Sequence, residues 1–383
     1  MAIFSLGVSH QMSQTIGLKR GFEELGCECY VGHSLMDGPA MDFFLDDYKP
    51  DFVIEINRSR NQILNCNAKF KHVSWVCDYS YGAIDVRENF GGSVFNFFIA
   101  PPNYCGHEPE NVEPWACLAF GVDTNIYSKN SLKASLDFSF IGYLPSPVSD
   151  SEKSFSIRHN DREVCKLGEI IDEIEALGIR HRNFDQKEIV RVILNVLNRN
   201  TNQFDKNNLP NQLLIFVQDR WLRTLDRVEM LESAIRVSKA ACFYGYGGWP
   251  LWPKLSEFYK GPVYTSSAKS AIYSQTRLNL HNNPGFSLHD RILEVMACES
   301  AVLLNTPASK GQATSLDQLF TPNFEYFTYD FDNFERTASN LLSTPNRIID
   351  VGKNARKKVL AGHTWLHRAT QVINDLEQAG ISW

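Results

Sequence analysis

The sequence predicts an α/β protein built from two tandem domains, each a mostly parallel sheet covered by helices on both faces. Three observations carry this. The chain has 383 residues, 43% of them apolar and 12% aromatic, and single cores stop growing by roughly 250–300 residues. Short apolar strands alternate with segments whose apolar residues recur at helical spacing. That alternation runs through the chain twice, with a change of texture between. So much core-forming side chain also rules out wholesale disorder.

The elements follow in order. IFSLGVS (3–9) is a strand, and Ile16, Leu18, Phe22 and Leu25 line a helix from Gln14 that Gly26 stops. CECYVGH (27–33) is a second strand and Met41–Tyr48 a short helix; FVIEIN (52–57), HVSWVCD (72–78) and VFNFFIA (94–100) are further strands. The connection falls between about 122 and 136, dividing the chain into 1–125, 126–365 and a closing stretch 366–383. DFSFIG (137–142) opens the second half, and the Pro- and Ser-rich residues 144–156 are a loop within it. Val164, Leu167, Ile170, Ile171, Ile174 and Leu177 form one helical stripe ending at Gly178, and Ile189, Val192, Ile193 and Val196 another. LLIFVQ (213–218) fits a strand or a buried helix, which periodicity does not separate. Asp226–Lys239 is a helix, ACFYG (241–245) a strand and Val263–Thr265 a short one. Leu278–His281, Leu288–Cys298 and AVLLN (301–305) form strand, helix, strand, and a helix over 366–380 closes the chain.

Charge and motifs narrow the function classes. The 38 basic and 44 acidic residues leave a net charge of -6, against the basic surplus of a protein that follows a nucleic-acid backbone. No apolar run approaches the roughly 20 residues of a membrane span. The N-terminus lacks a basic region and a long apolar one, so a strand is expected there and not a signal peptide. Nine cysteines, an odd count mostly within apolar runs, fit buried free thiols in a reducing compartment. P-loop, zinc-protease, nucleophile-elbow and dinucleotide fingerprints are missing, which disfavours an NAD-linked dehydrogenase.

The densest polar cluster is N-L-H-N-N-P-G-F-S-L-H-D-R-I-L-E-V-M-A-C-E-S-A-V-L-L-N, residues 279–305. Asn282, Asn283, Gly285, Phe286 and Ser287 fall in a turn, and Arg291 and Glu294 share one helix face near its start. A surface ion pair explains that pair, and so does a helix N-terminus with an arginine facing a diphosphate and a carboxylate accepting from sugar hydroxyls. His281 and His289 suit ordinary polar or core positions better than a metal site. The turn Gly245-Tyr246-Gly247-Gly248 suits backbone approach to a phosphate or a simple tight turn, and Tyr246, Trp249 and Trp252 offer stacking faces.

This cluster resembles the donor-binding region of GT-B glycosyltransferases, in particular the spore maturation protein B-like branch of the group 1 glycosyl transferases. The likeness continues through Leu319–Tyr329, Phe334–Leu342, Pro345, Gly352–Val359, His363, Trp365 and Arg368. Upstream it takes in F-G-V-D123 with Tyr127, D137-F-S-F-I-G142 and F243-Y-G-Y-G-G-W249. It covers about 225–370 and 115–143 and fades over the first hundred residues. The resemblance implies two Rossmann-like domains facing across a cleft: an acceptor side at 1–125, a nucleotide-sugar donor side at 126–365, and a closing helix that crosses back. It implies sugar transfer from a nucleotide diphosphate sugar to a hydroxyl of a glycan, protein or small molecule, with no required metal and no cofactor beyond the donor. The nearby Asp330-Phe-Asp332 is expected to be a surface turn. Donor contacts would fall at Tyr246, Gly247, Asn282, Gly285, Phe286, Ser287, Arg291 (diphosphate) and Glu294 (ribose). The broader retaining pattern has a further glutamate where Phe286 stands, so the stereochemistry stays open.

For catalysis the first domain must supply a base or a charge-stabilising group. Asp78 closes an apolar strand, His10 follows another and Glu55 lies within a third. Asp78 also suits a turn cap, His10 a packed loop residue and Glu55 a partner for Arg58 or Arg60. Compartment, membrane behaviour and partners are expected to be cytoplasmic, at most peripheral, and free of nucleic acid. An epimerase on the same fold, or a catalytically inactive GT-B domain that binds partners, are the alternatives.

Overall fold

The computed structural model describes residues 1–77, 87–130, 134–183, 186–199, 201, 203–205, 209–282, 288–306 and 313–382. Two sheets organise it. Strands β1 (Ala2–Phe4), β2 (Tyr30–Gly32), β3 (Val53–Ile56), β4 (His72–Val76), β5 (Phe95–Phe98) and β6 (Trp115–Cys117) pair in the order β2-β1-β3-β4-β5-β6. Every ladder is parallel. The central strands β3, β4 and β5 are buried along their whole length, as a sheet covered on both faces requires. The second sheet contains β7 (Leu136–Ile141), β10 (Ala241–Tyr244), β11 (Thr276–His281), β12 (Ala301–Asn305) and β13 (Phe327–Tyr329) in the order β10-β7-β11-β12-β13, again all parallel. The expected pair of α/β layers is therefore present.

Between β7 and β10 the chain departs from the predicted pattern. A short antiparallel hairpin, β8 (Ser156–His159) and β9 (Arg162–Lys166), precedes the helix Leu167–Ala176. The helical stripe expected from Val164 thus begins in a strand: Val164 is buried within β9. LLIFVQ is helical, running from Asn211–Ile215 into a π-helical stretch Phe216–Leu222 and on into the helix Arg223–Val237. Ile170, Ile171, Ile174, Ile189, Val192, Ile193, Val217 and Trp221 close a core of this insert's own, which is why its apolar residues read as a domain-like pattern. Val263–Thr265, expected as a strand, joins neither sheet.

The closing helix Trp365–Gln378 packs against the first helix, Ser9–Glu24, with the Trp365 indole set over Gly17 and Gly121. Val122 N–H donates to His363 O (3.1 Å), Arg368 Nε to Phe120 O (2.9 Å) and Gln371 Nε2 to Cys117 O (2.8 Å). The second passage of the chain is tied to the first sheet at these points. All nine cysteines are free thiols. Among the described residues no helix is long and apolar enough to cross a membrane.

Candidate functional site

In the second sheet the strand order reverses at β7, with the later β10 on one side and β11 on the other. The crossovers then leave on opposite faces and open a crevice at the carboxyl ends of the strands. β7 ends there at Ile141 and β11 at His281, and the helix Asp290–Ala297 starts above them. Its N-cap is His289, whose ring accepts from the Arg291 backbone N–H at 3.3 Å.

Cationic groups converge on this crevice. Arg291 donates through Nη1 to the Ile141 carbonyl, with its Nε 3.5 Å from the His289 ring. A Cβ at Gly142 would lie 2.7 Å from the Phe140 ring and 2.8 Å from Arg291 Nη1, so the glycine leaves room for both at the strand end. Arg227 is buried, donates to the Tyr143 carbonyl and lies 5.4 Å from the Phe140 ring centre. Burial, with Arg223 and Arg291 nearby, lowers its pKa well below the ordinary arginine value, yet guanidinium stays protonated in proteins. His281 is buried, its ring 5.4 Å from that of His289. Burial first, then Arg291, His289, Arg227 and Arg223, keep it neutral. Among the described residues its Nε2 has no hydrogen-bond partner. The carboxylate in this group, Asp290, touches the His289 ring. Burial opposes its ionisation, while His289, Lys269 and Arg291 outweigh that and hold its carboxyl below the usual range. Such a set, short of anions, is a place where a diphosphate fits.

Arg223 and Arg227 sit one turn apart on the helix Arg223–Val237. The preceding π-helical turn and the insert hold that helix in place. Arg182 of the insert donates its backbone N–H to Asp226 (2.6 Å), grips Glu229 with both guanidinium nitrogens (3.0 and 2.6 Å) and stacks 3.9 Å over Phe331. Sequence reasoning missed this pair of arginines. Their i,i+4 spacing on a helix entering the second sheet was the available signal.

The predicted donor residues separate into groups. Arg291 lies at the crevice, and Asn282, buried, directly follows the end of β11 there. Glu294 lies one turn further along the helix, buried, and accepts from Tyr273 Oη at 3.0 Å with Lys269 Nζ at 3.5 Å. Gly247 has φ 112°, and a Cβ there would sit 2.1 Å from the Leu144 carbonyl. Packing of one loop against another accounts for that glycine. Tyr246 is half exposed and meets Tyr264 edge to face at 6.0 Å. Trp249 offers no stacking face to a ligand: it is fully buried, stacked on Tyr259. Gly285, Phe286 and Ser287 lie outside the described residues, as does Asp78. His10 falls in the first turn of the first helix, its side chain outside the described part. Glu55 is fully buried in β3, accepting from Arg58 Nε (2.7 Å) and Nη2 (3.2 Å) with His72 Nε2 at 3.1 Å. Of the two arginines offered as its partner, Arg58 is the one. Asp330 caps the 3₁₀ turn Phe331–Asn333 and Asp332 lies within it, both exposed. Among the described residues no three His, Cys, Asp or Glu side chains are grouped to hold a metal ion.

Two parallel sheets, each flanked by helices, place the chain among the two-domain α/β architectures, and comparisons with known proteins agree. Residues 220–374 match the family described as glycosyl transferase-like. HepE of Anabaena, crystallised with UDP and glucose, is similar over 99% of this chain and 100% of its own, at 9% identity and a TM-score of 0.54. Sucrose-phosphate synthase of Thermosynechococcus elongatus is similar over 98% of both chains, at 10% identity and a TM-score of 0.55. The lipopolysaccharide outer core galactosyltransferase WaaB is similar over 98% of this chain and 99% of its own, at 10% identity and a TM-score of 0.51. No curated protein matches by sequence. The chain has the GT-B fold, and residues 220–374 match the glycosyl transferase-like family.

Proposed function

We propose that this protein transfers a sugar from a nucleotide diphosphate sugar to a hydroxyl acceptor, as a member of the spore maturation protein B-like branch. The observation that carries the reading is the convergence of Arg227 and Arg291, with Arg223 nearby, on the carboxyl ends of β7 and β11. Guanidinium groups fixed by backbone carbonyls before the donor arrives meet the charge that develops on a leaving diphosphate without reorganising. In this reading no metal is needed for that task. Glu294 accepts from the ribose, and Tyr246 with Tyr264 offers an exposed aromatic edge for the base. Residues 126–365 form the donor side and residues 1–125 the acceptor side, and the protein works in the cytoplasm.

The base that deprotonates the acceptor is assigned to Asp78 or His10. Glu55 is set aside, because Arg58 and His72 already surround its carboxylate. A catalytically inactive binding protein is the second reading, favoured by Phe286 in place of a glutamate. Isothermal titration with UDP, GDP, CMP and TDP tests the first. Binding of none of them would sink it, and binding without turnover of any sugar donor supports the second.

A further inference from the structure

We infer that Tyr273 and Tyr127 are positioning residues that orient the Glu294 carboxylate toward the donor ribose, an inference that rests on the donor-site reading above. Glu294 is 7% exposed, and a carboxylate so far from water needs donors around it. Tyr273 Oη supplies one at 3.0 Å and Lys269 Nζ lies at 3.5 Å. The Tyr127 hydroxyl lies near the same carboxylate and near Ser266, its ring 6.4 Å from that of Tyr273. Burial, reinforced by the charge of Glu294, pushes both phenols far above the ordinary tyrosine range. They therefore stay protonated and act only as donors toward Glu294. A carboxylate has about four lone-pair sites, so these donors fix its rotation and leave acceptor capacity for sugar hydroxyls.

The donors come from two places. Lys269 and Tyr273 lie one turn apart on the helix Ser266–Ser274. Tyr127 belongs to the segment that leaves the first sheet: its N–H donates to Asp123 O at 2.9 Å, and the Asp123 carboxylate pairs with Arg20 of the first helix. The orientation of a donor-side carboxylate is thereby set in part from the connection to the first domain. Removal of either phenol frees the Glu294 side chain to rotate without removing any group that meets the diphosphate.

The test is titration of UDP or GDP, whichever binds, and of its 2′-deoxy form against wild type, Tyr127→Phe, Tyr273→Phe and Glu294→Gln. The wild type is expected to prefer the ribonucleotide. Each phenylalanine variant is expected to lose about tenfold in ribonucleotide affinity and little for the deoxy form, so the preference shrinks as it does in Glu294→Gln. Should one variant fail to fold, the other carries the same comparison. A preference kept in the phenylalanine variants but lost in Glu294→Gln overturns the inference and leaves the donor reading intact. A preference kept in Glu294→Gln overturns the ribose role itself. Binding of neither UDP nor GDP overturns the inference, and the donor reading then survives only if CMP or TDP binds.

Discussion

Asp226 makes the stability of this fold depend on pH in a direction opposite to most carboxylates. It is fully buried on the helix that carries Arg223 and Arg227. Burial pushes its carboxyl up to about 6 from the ordinary 3.8, although Arg182 works the other way. A folded-state value above the unfolded one means the native state holds the proton more tightly. The resulting stability is complete below about pH 3.8 and is lost as pH rises through about 6. The rise from 3.8 to about 6, at about 1.4 kcal/mol for each pH unit, comes to about 3 kcal/mol. Asp226→Asn cannot titrate, so the comparison isolates this group from every other carboxylate. Urea unfolding of both proteins between pH 4 and pH 8 is the assay. The stability of the wild type relative to the variant is expected to fall by about 2 kcal/mol across that range, the rest of the effect lying below pH 4. A difference that stays flat, or that grows with pH, refutes the reasoning and shows that the contacts with Arg182 outweigh burial.

Three further outcomes follow from the same geometry. Arg227→Met removes a buried cation that points into the crevice, and is expected to weaken UDP binding by about 10- to 100-fold without lowering the melting temperature of the free protein; unchanged affinity in a titration would remove Arg227 from the site. Gly247→Ala places a methyl group 2.1 Å from the Leu144 carbonyl at φ 112°, and is expected to cost at least about 2 kcal/mol; a loss below about 0.5 kcal/mol in urea unfolding contradicts the tight loop packing. Trp365→Ala empties the space over Gly17 and Gly121 and is expected to cost about 3–5 kcal/mol. Its unfolding should also separate into two transitions, and a single unshifted transition would show that this contact does not join the two halves.

How much of this was legible depends on how local the signal is. The strands Val53–Ile56, His72–Val76, Phe95–Phe98 and Ala301–Asn305 are buried throughout, and continuous apolar runs of that length announce themselves. β6 (Trp115–Cys117) went unseen because three half-buried residues carry no periodicity. The β8–β9 hairpin was hidden by Val164, Cys165 and Leu167, whose burial mimics the helical stripe that follows. The Arg291–Glu294 segment stood out because a glycine turn, an arginine and a carboxylate lie within ten residues. Arg227 and Tyr143 are 84 positions apart, and no window along the chain contains both.

The sequence by itself determined two parallel α/β layers, the class of helix that follows β11 and the likeness to GT-B donor sites. Those properties follow from residue spacing, from glycine and proline punctuation, and from apolar periodicity, all of which act over a few turns of chain. Only the tertiary structure decided that Arg227 and Arg291 share a crevice, that Tyr127 reaches Glu294, that Glu55 is enclosed by Arg58 and His72, and that Trp249 belongs to the core. Each of these is a contact between residues brought together by sheet order and helix packing. The strength of a charge depends on which distant groups surround it and how much water they leave, and that is a property of the folded volume.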